Sequence, residues 1–189
     1  MIKMKKYILL IFLLVLAVSV SGCTNFLNQN PDQQRIADAE TYAKDINAST
    51  YNGNGFSFFY PNNWQNYTEP DWLATIGDPN DTSTYIYVDN HKLQSNETVK
   101  GLLEKAITEI SADKNRNITI VSWENLTVNN NPYEIVVVQE ETVEGQLQYM
   151  QAWFERNGTA YLLGGVTTPE KFPSMNETFN MFIYSFKFE

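Results

Sequence analysis

The chain has 189 residues, 43% hydrophobic and 14% aromatic, enough for one domain with a sizeable core. Its formal net charge is −9, from 22 acids and 13 bases, and so acidic a surface repels phosphate backbones and excludes a nucleic-acid partner. One Cys and one His exclude an internal disulfide, a cysteine-based zinc cluster and a multi-histidine metal site, and the residues call for no metal or cofactor.

The chain opens with Lys3, Lys5 and Lys6, followed by an apolar run from Ile8 to Val18. The run is well short of the roughly 20 residues that span a bilayer. With the small residues that follow, it has the layout of a secretory signal peptide over residues 1–22. Val20-Ser21-Gly22-Cys23 resembles a lipobox, and it holds the chain's only cysteine. In such a segment the thiol is the nucleophile that accepts a diacylglyceryl group. Two acyl chains then anchor the mature N-terminus stably. Cys23 is therefore the expected lipid-attachment site, and membrane lipid the expected partner through it. Loss of the leader leaves 10 bases against 22 acids in residues 23–189.

Residues 23–50 are polar and read as a tether, with a short helix signalled by Asp32 and an apolar stripe of Ile36, Ala39, Ala43 and Ile46. Residues 51–189 read as one domain. Phe56–Tyr60 is a predicted strand stopped by Pro61, and Trp72–Ile76 and Thr84–Val88 are two more. The connection Gly77–Ser83 has loop chemistry. Val99, Leu102, Leu103, Ala106, Ile107 and Ile110 keep helical spacing, with Ser95 or Asn96 as the expected cap. Ile118–Leu126, Tyr133–Glu141, Gln146–Phe154 and Ala160–Thr167 predict a meander whose last turn is Asn157-Gly158. Ile135 and Val137 point one way and Val136 and Val138 the other, so this strand needs cover on both faces. Ser174-Met175-Asn176-Glu177 reads as a capping box ahead of the stripe Met175, Phe179, Phe182 and Ile183. This order predicts an α+β fold: a mainly antiparallel sheet of about six to seven strands sandwiched by helices.

Gly55-Phe56-Ser57-Phe58-Phe59-Tyr60-Pro61, with Trp64 three residues on, resembles the opening motif of the PsbP-like family. The closing helix and Ser185-Phe186-Lys187-Phe188 resemble that family's C-terminal signature. The resemblance covers about residues 51–189. It implies an antiparallel sheet between helices, and an accessory or binding protein rather than an enzyme.

Chemistry is sparse in the rest of the sequence. His91 follows Asp89 and Asn90, and none of Ser83, Ser95 or Ser122 lies in a nucleophile pattern, so no catalytic residue is expected. Asp78-Pro79-Asn80-Asp81-Thr82-Ser83 spaces oxygens like a calcium loop but lacks its glycine, so it reads as a solvated turn. Glu140, Glu141 and Glu144 read as a solvated hairpin end, since consecutive strand residues cannot line one cleft. Gly164-Gly165 inside a strand marks close packing or a bulge. Tyr60 and Trp64 read as core, and Tyr67 and Trp72 as binding aromatics. Sequons at Asn47, Asn66, Asn80, Asn96, Asn117, Asn125, Asn157 and Asn176 are candidates for N-glycosylation. With a lipobox they suggest an archaeal cell surface and the outer face of the plasma membrane. The expected function is non-catalytic docking of a lipid-anchored domain to an envelope protein complex, the alternative being a carbohydrate- or wall-binding module.

Overall fold

The structure, a computed structural model, describes residues 31–113, 116–128, 131–143 and 145–189. The leader, Cys23 and Glu144 lie outside the described residues. The elements in order are α1 (Pro31–Asp45), β1 (Ser49–Gly53), β2 (Phe56–Tyr60), β3 (Gln65–Tyr67), β4 (Ala74–Gly77), β5 (Tyr85–Lys92), α2 (Val99–Ser111), β6 (Asn117–Val128), β7 (Asn131–Thr142), β8 (Gly145–Arg156), β9 (Thr159–Thr167), α3 (Phe172–Ser185) and β10 (Lys187–Phe188).

Seven strands form one antiparallel sheet in the order β3-β4-β5-β9-β8-β7-β6. A second sheet, β1-β2-β10, has three strands. The α+β architecture is the expected one. The small sheet was not anticipated. Its hairpin turn is Asn54-Gly55, both residues at positive φ (55° and 77°). This is the primed turn that fits the right-handed twist of paired strands, and Asn157-Gly158 (53° and 70°) repeats it between β8 and β9.

The compact unit spans Arg35–Glu189. Ala39 and Ala43 of α1 are buried and Ile36 packs on the core, so residues 35–50 belong to the fold and not to a tether. The helix cap at α2 is Thr98, whose hydroxyl accepts from Gly101 N at 3.1 Å, and not Ser95 or Asn96. Nor does the capping box at 174–177 form. Helix α3 starts a turn earlier, at Phe172-Pro173, because proline suits the first helical turn. Ser174 Oγ donates instead to Lys171 O at 2.7 Å.

The inner face of the large sheet meets α3 and the small sheet. Phe179 and Phe182 are fully buried there with Ile76, Ile86, Val88 and Leu163. Each such ring contributes about 2–3 kcal/mol through removal from water. On the outer face α2 covers only one half, where Leu103 packs on Val136 and Val138. Both faces of β7 are thus covered, as its sequence requires.

Gly164-Gly165 sits at the centre. A Cβ on Gly164 would stand 2.2 Å from the Tyr87 ring on the outer face. One on Gly165 would stand 2.4 Å from the Phe179 ring on the inner face. We therefore expect Gly164→Ala and Gly165→Ala each to lower unfolding stability by about 1–3 kcal/mol, read from denaturant midpoints, because neither ring can retreat without losing its own packing.

Candidate functional site

The half of the outer face left bare by α2 is faced with aromatic side chains. Register sets their order. Tyr67, Thr75, Tyr87, Gly164 and Gln151 lie opposite one another across β3, β4, β5, β9 and β8, and so share the outer face. The neighbouring row holds Gly77, Tyr85, Val166 and Tyr149. Tyr85 and Tyr87, two residues apart on β5, point the same way. Trp72 lies over both, with ring centroids 4.6 Å from Tyr87 and 5.7 Å from Tyr85. Tyr87 is anchored beneath: its hydroxyl accepts from Gln151 Nε2 at 3.1 Å, and Trp153 Nε1 donates to Gln151 Oε1 at 3.1 Å.

Between Tyr67 and the Trp72–Tyr85 stack lies a cavity of about 380 Å³. Gly77 and Thr75 contribute to its lining, with Glu69, Asp78, Asp81, Thr82 and Thr84. A Cβ on Gly77 would meet Tyr85 Cβ at 3.1 Å and Tyr67 Cε2 at 3.3 Å, so the absent side chain lets both tyrosines pack close against β4. Tyr67 is 40% exposed and Trp72 is half-buried. The two aromatics singled out from the sequence therefore share one cleft. Tyr85, Thr75 and Gly77 were missed. The available signal was Tyr85-Ile86-Tyr87-Val88, whose alternation puts two rings on one face.

The loop 78–84 that forms one wall is fixed by its own acids. Asp78 Oδ1 accepts from Asn80 N at 2.9 Å. Asp81 Oδ1 accepts from Ser83 N and Ser83 Oγ at 3.1 and 2.6 Å, and Oδ2 from Lys171 Nζ at 2.6 Å and from Thr84 Oγ1. Thr84 in turn bonds Thr167 Oγ1 at 2.7 Å, both threonines buried. Asp81 thus ties the loop to the start of α3. It spends its oxygens on protein donors, as a structural turn does. Among the described residues, no group of three or more His, Cys, Asp or Glu is placed to hold a metal.

Glu140 departs from expectation. It is 4% exposed, not solvated, and pairs with Arg116. Burial pushes its carboxyl up, but hydrogen bonds from Arg116 and Tyr149 more than offset this and hold it below the usual range. Burial raises Tyr149 and Tyr87 far above the ordinary tyrosine range, so both keep their protons. His91 is half-exposed, and its Nε2 stands 3.7 Å from Glu97, not beside a serine.

Trp64 is buried in the core and Tyr60 packs against it, as expected. Asn47, Asn66, Asn80, Asn96, Asn117, Asn125 and Asn157 are exposed, while Asn176 is half-buried beside Arg35, Tyr42 and Tyr184.

A seven-stranded antiparallel sheet packed against helices and a small second sheet defines an α+β sandwich. The chain belongs to the PsbP-like family, whose model matches residues 7–188. Cyanobacterial PsbP (CyanoP) from Synechocystis sp. PCC 6803 shares the fold, with a TM-score of 0.60 at 13% identity, over 75% of this chain and 92% of that one. A Bacteroides thetaiotaomicron protein aligns with a TM-score of 0.52 at 10% identity, over 75% of this chain and 48% of its own. A Pseudomonas aeruginosa protein of unknown function, described as a putative regulator, gives 0.45 at 12% identity, over 68% and 88%. No curated protein matches the chain.

The Asp81 knot carries a prediction. Its hydrogen bonds, from Lys171 first and then from Ser83 and Thr84, hold the folded-state carboxyl well below the ordinary value of 3.8. The stabilisation is therefore complete above the unfolded pKa and is lost as pH falls below about 4 toward the folded one. Asp81→Asn should cost about 1–2 kcal/mol at neutral pH, discounted because Lys171 is half-exposed, and the deficit should shrink in acid. Urea midpoints of both proteins between pH 7 and 3 test this.

Proposed function

We propose that this chain is a lipid-anchored, non-catalytic binding domain on the outer face of the plasma membrane, docking to an envelope protein. The anchor is Cys23, at the end of Val20-Ser21-Gly22-Cys23. The seven residues between Cys23 and the start of α1 at Pro31 could reach at most about 29 Å, which favours a partner close to the membrane. The observation that carries the binding role is the aromatic cleft, with Tyr67 and Trp72 on a rigid sheet face. Aromatic side chains supply most of the energy at protein recognition sites. PsbP-like membership supports an accessory role. The eight sequons fit exported N-glycosylation of the kind found on archaeal surfaces.

Two measurements test this. Cys23→Ser should move the protein from the membrane fraction to the soluble fraction, and mass spectrometry of the wild-type N-terminal peptide should show a diacylglyceryl-modified Cys23. Cross-linking in intact native cells, followed by affinity capture, should return one dominant envelope protein. Recovery of wall polymer without protein would sink the docking reading in favour of a glycan-binding module.

A further inference from the structure

We propose that the hollow between Tyr67 and Trp72 is a cation site that accepts an alkylammonium or guanidinium group. This rests on the reading of the chain as a binding domain and names the ligand class.

Two of the walls are aromatic side chains. Tyr67 stands on one side, and on the other Trp72 is braced against Tyr85 and Tyr87 at interplanar angles of 25° and 22°. Ring faces carry the negative end of the aromatic quadrupole and attract cations. A stacked Trp is the strongest such face, and it is already held in place without ligand.

Every charged side chain lining the hollow is a carboxylate: Glu69, Asp78 and Asp81. Lys171 neutralises Asp81. Glu69 and Asp78 have no cationic partner among the described residues. The charge of Glu69 also reaches the Tyr85 hydroxyl, adding to the burial that raises it. The site thus concentrates negative potential where the rings do.

One buried polar atom of the lining residues is unsatisfied. Thr75 is 5% exposed, lines the hollow, and its buried Oγ1 has no hydrogen-bond partner. That oxygen is closed off from solvent, so it is not part of the surface that a ligand meets. The hollow offers about 380 Å³, room enough for an alkylammonium or guanidinium group. A neutral sugar is the weaker match. Its hydroxyls could pair with the lining, but it brings no positive charge to answer Glu69 and Asp78.

The test is calorimetry on the detergent-solubilised mature lipoprotein, residues 23–189. It is titrated with spermidine, tetramethylammonium, and blocked peptides carrying one lysine or one arginine. Saturable binding of at least one cation is expected. Tyr67→Ala should weaken it about tenfold, and Glu69→Gln and Asp78→Asn by a few-fold each, with added salt weakening it further. All three residues lie at the surface or in a loop, and unchanged unfolding midpoints establish that the variants fold. Binding of the free amines assigns a small-molecule ligand. Binding of the peptides alone assigns a basic side chain of a partner protein. No binding by any of the four overturns the proposal, as does binding untouched by Tyr67→Ala and Glu69→Gln. So does saturable binding of N-acetylglucosamine or a short glucan in their place. A cross-linked envelope partner retained by a variant carrying both Tyr67→Ala and Glu69→Gln, with no cation bound by the wild type, would leave the docking role standing while the cation site falls.

Discussion

The contact on which the fold turns is the one made on both sides of β9 at Gly164-Gly165. This strand lies at the centre of the large sheet, paired with β5 and β8. Side chains alternate across a sheet, so two adjacent glycines open a slot on each face. Phe179 of α3 fills the inner slot and the Tyr87 ring fills the outer one. The first contact brings α3 close enough to bury Phe182 and Ile183 in the main core. The second lowers Tyr87 onto the sheet, where it becomes the base on which Trp72 stacks. Core and cleft therefore share one local solution. Glycine in a strand interior weakens the strand through backbone entropy, and here ring packing on both faces offsets that cost.

The cleft is held from a second direction by Asp81. A loop of Pro, Asn, Asp, Thr and Ser has little apolar surface to fix it, so its conformation depends on hydrogen bonds. Asp81 accepts from Ser83, Thr84 and Lys171, and Thr84 carries the connection on to Thr167 at the end of β9. Loop, central strand and α3 are joined through one carboxylate. The ion pair with Lys171 is half-exposed and contributes little as an isolated charge pair. Its weight lies in satisfying a carboxylate that already accepts from neutral donors.

What was legible in the sequence followed from periodicity and composition. The amphipathic spacing at 99–110 and the doubly apolar 135–138 placed α2 and β7 because each pattern has one structural solution. The aromatic strand before Pro61 and the closing Phe186–Phe188 carried the family. Less legible were β1, β3 and β10, at five, three and two residues, which exist because a neighbouring strand accepts them. Asn54-Gly55 did carry the hairpin signal, but with a polar Ser49–Gly53 before it there was no alternation to frame it. Glu140 misled because a glutamate near a hairpin tip is ordinarily solvated. The partners that make its burial possible, Arg116 24 residues earlier and Tyr149 on the neighbouring strand, are brought to it by the fold. Tyr67 and Trp72 stood out as aromatics among polar residues. That they share a hollow depends on the register of β3, β4 and β5, which brings Tyr67 and Tyr85 to one sheet face.

Three of the eight sequons lie on the edges of the large sheet. The large sheet has two open edges, β3 and β6, and an open edge is a template for pairing with other chains. Asn66 lies on the first, and Asn117 and Asn125 on the second. On β6 the edge also exposes Ile120 and Val121, at 43% and 54%. Glycans at these asparagines would screen both edges while leaving the cleft free. Asn66 directly precedes Tyr67, so its side chain leaves the strand on the opposite face. Asn80 lies in the loop 78–84 but does not line the hollow. A surface domain coated in this way would have its edges closed to pairing and its aromatic cleft still open to a ligand.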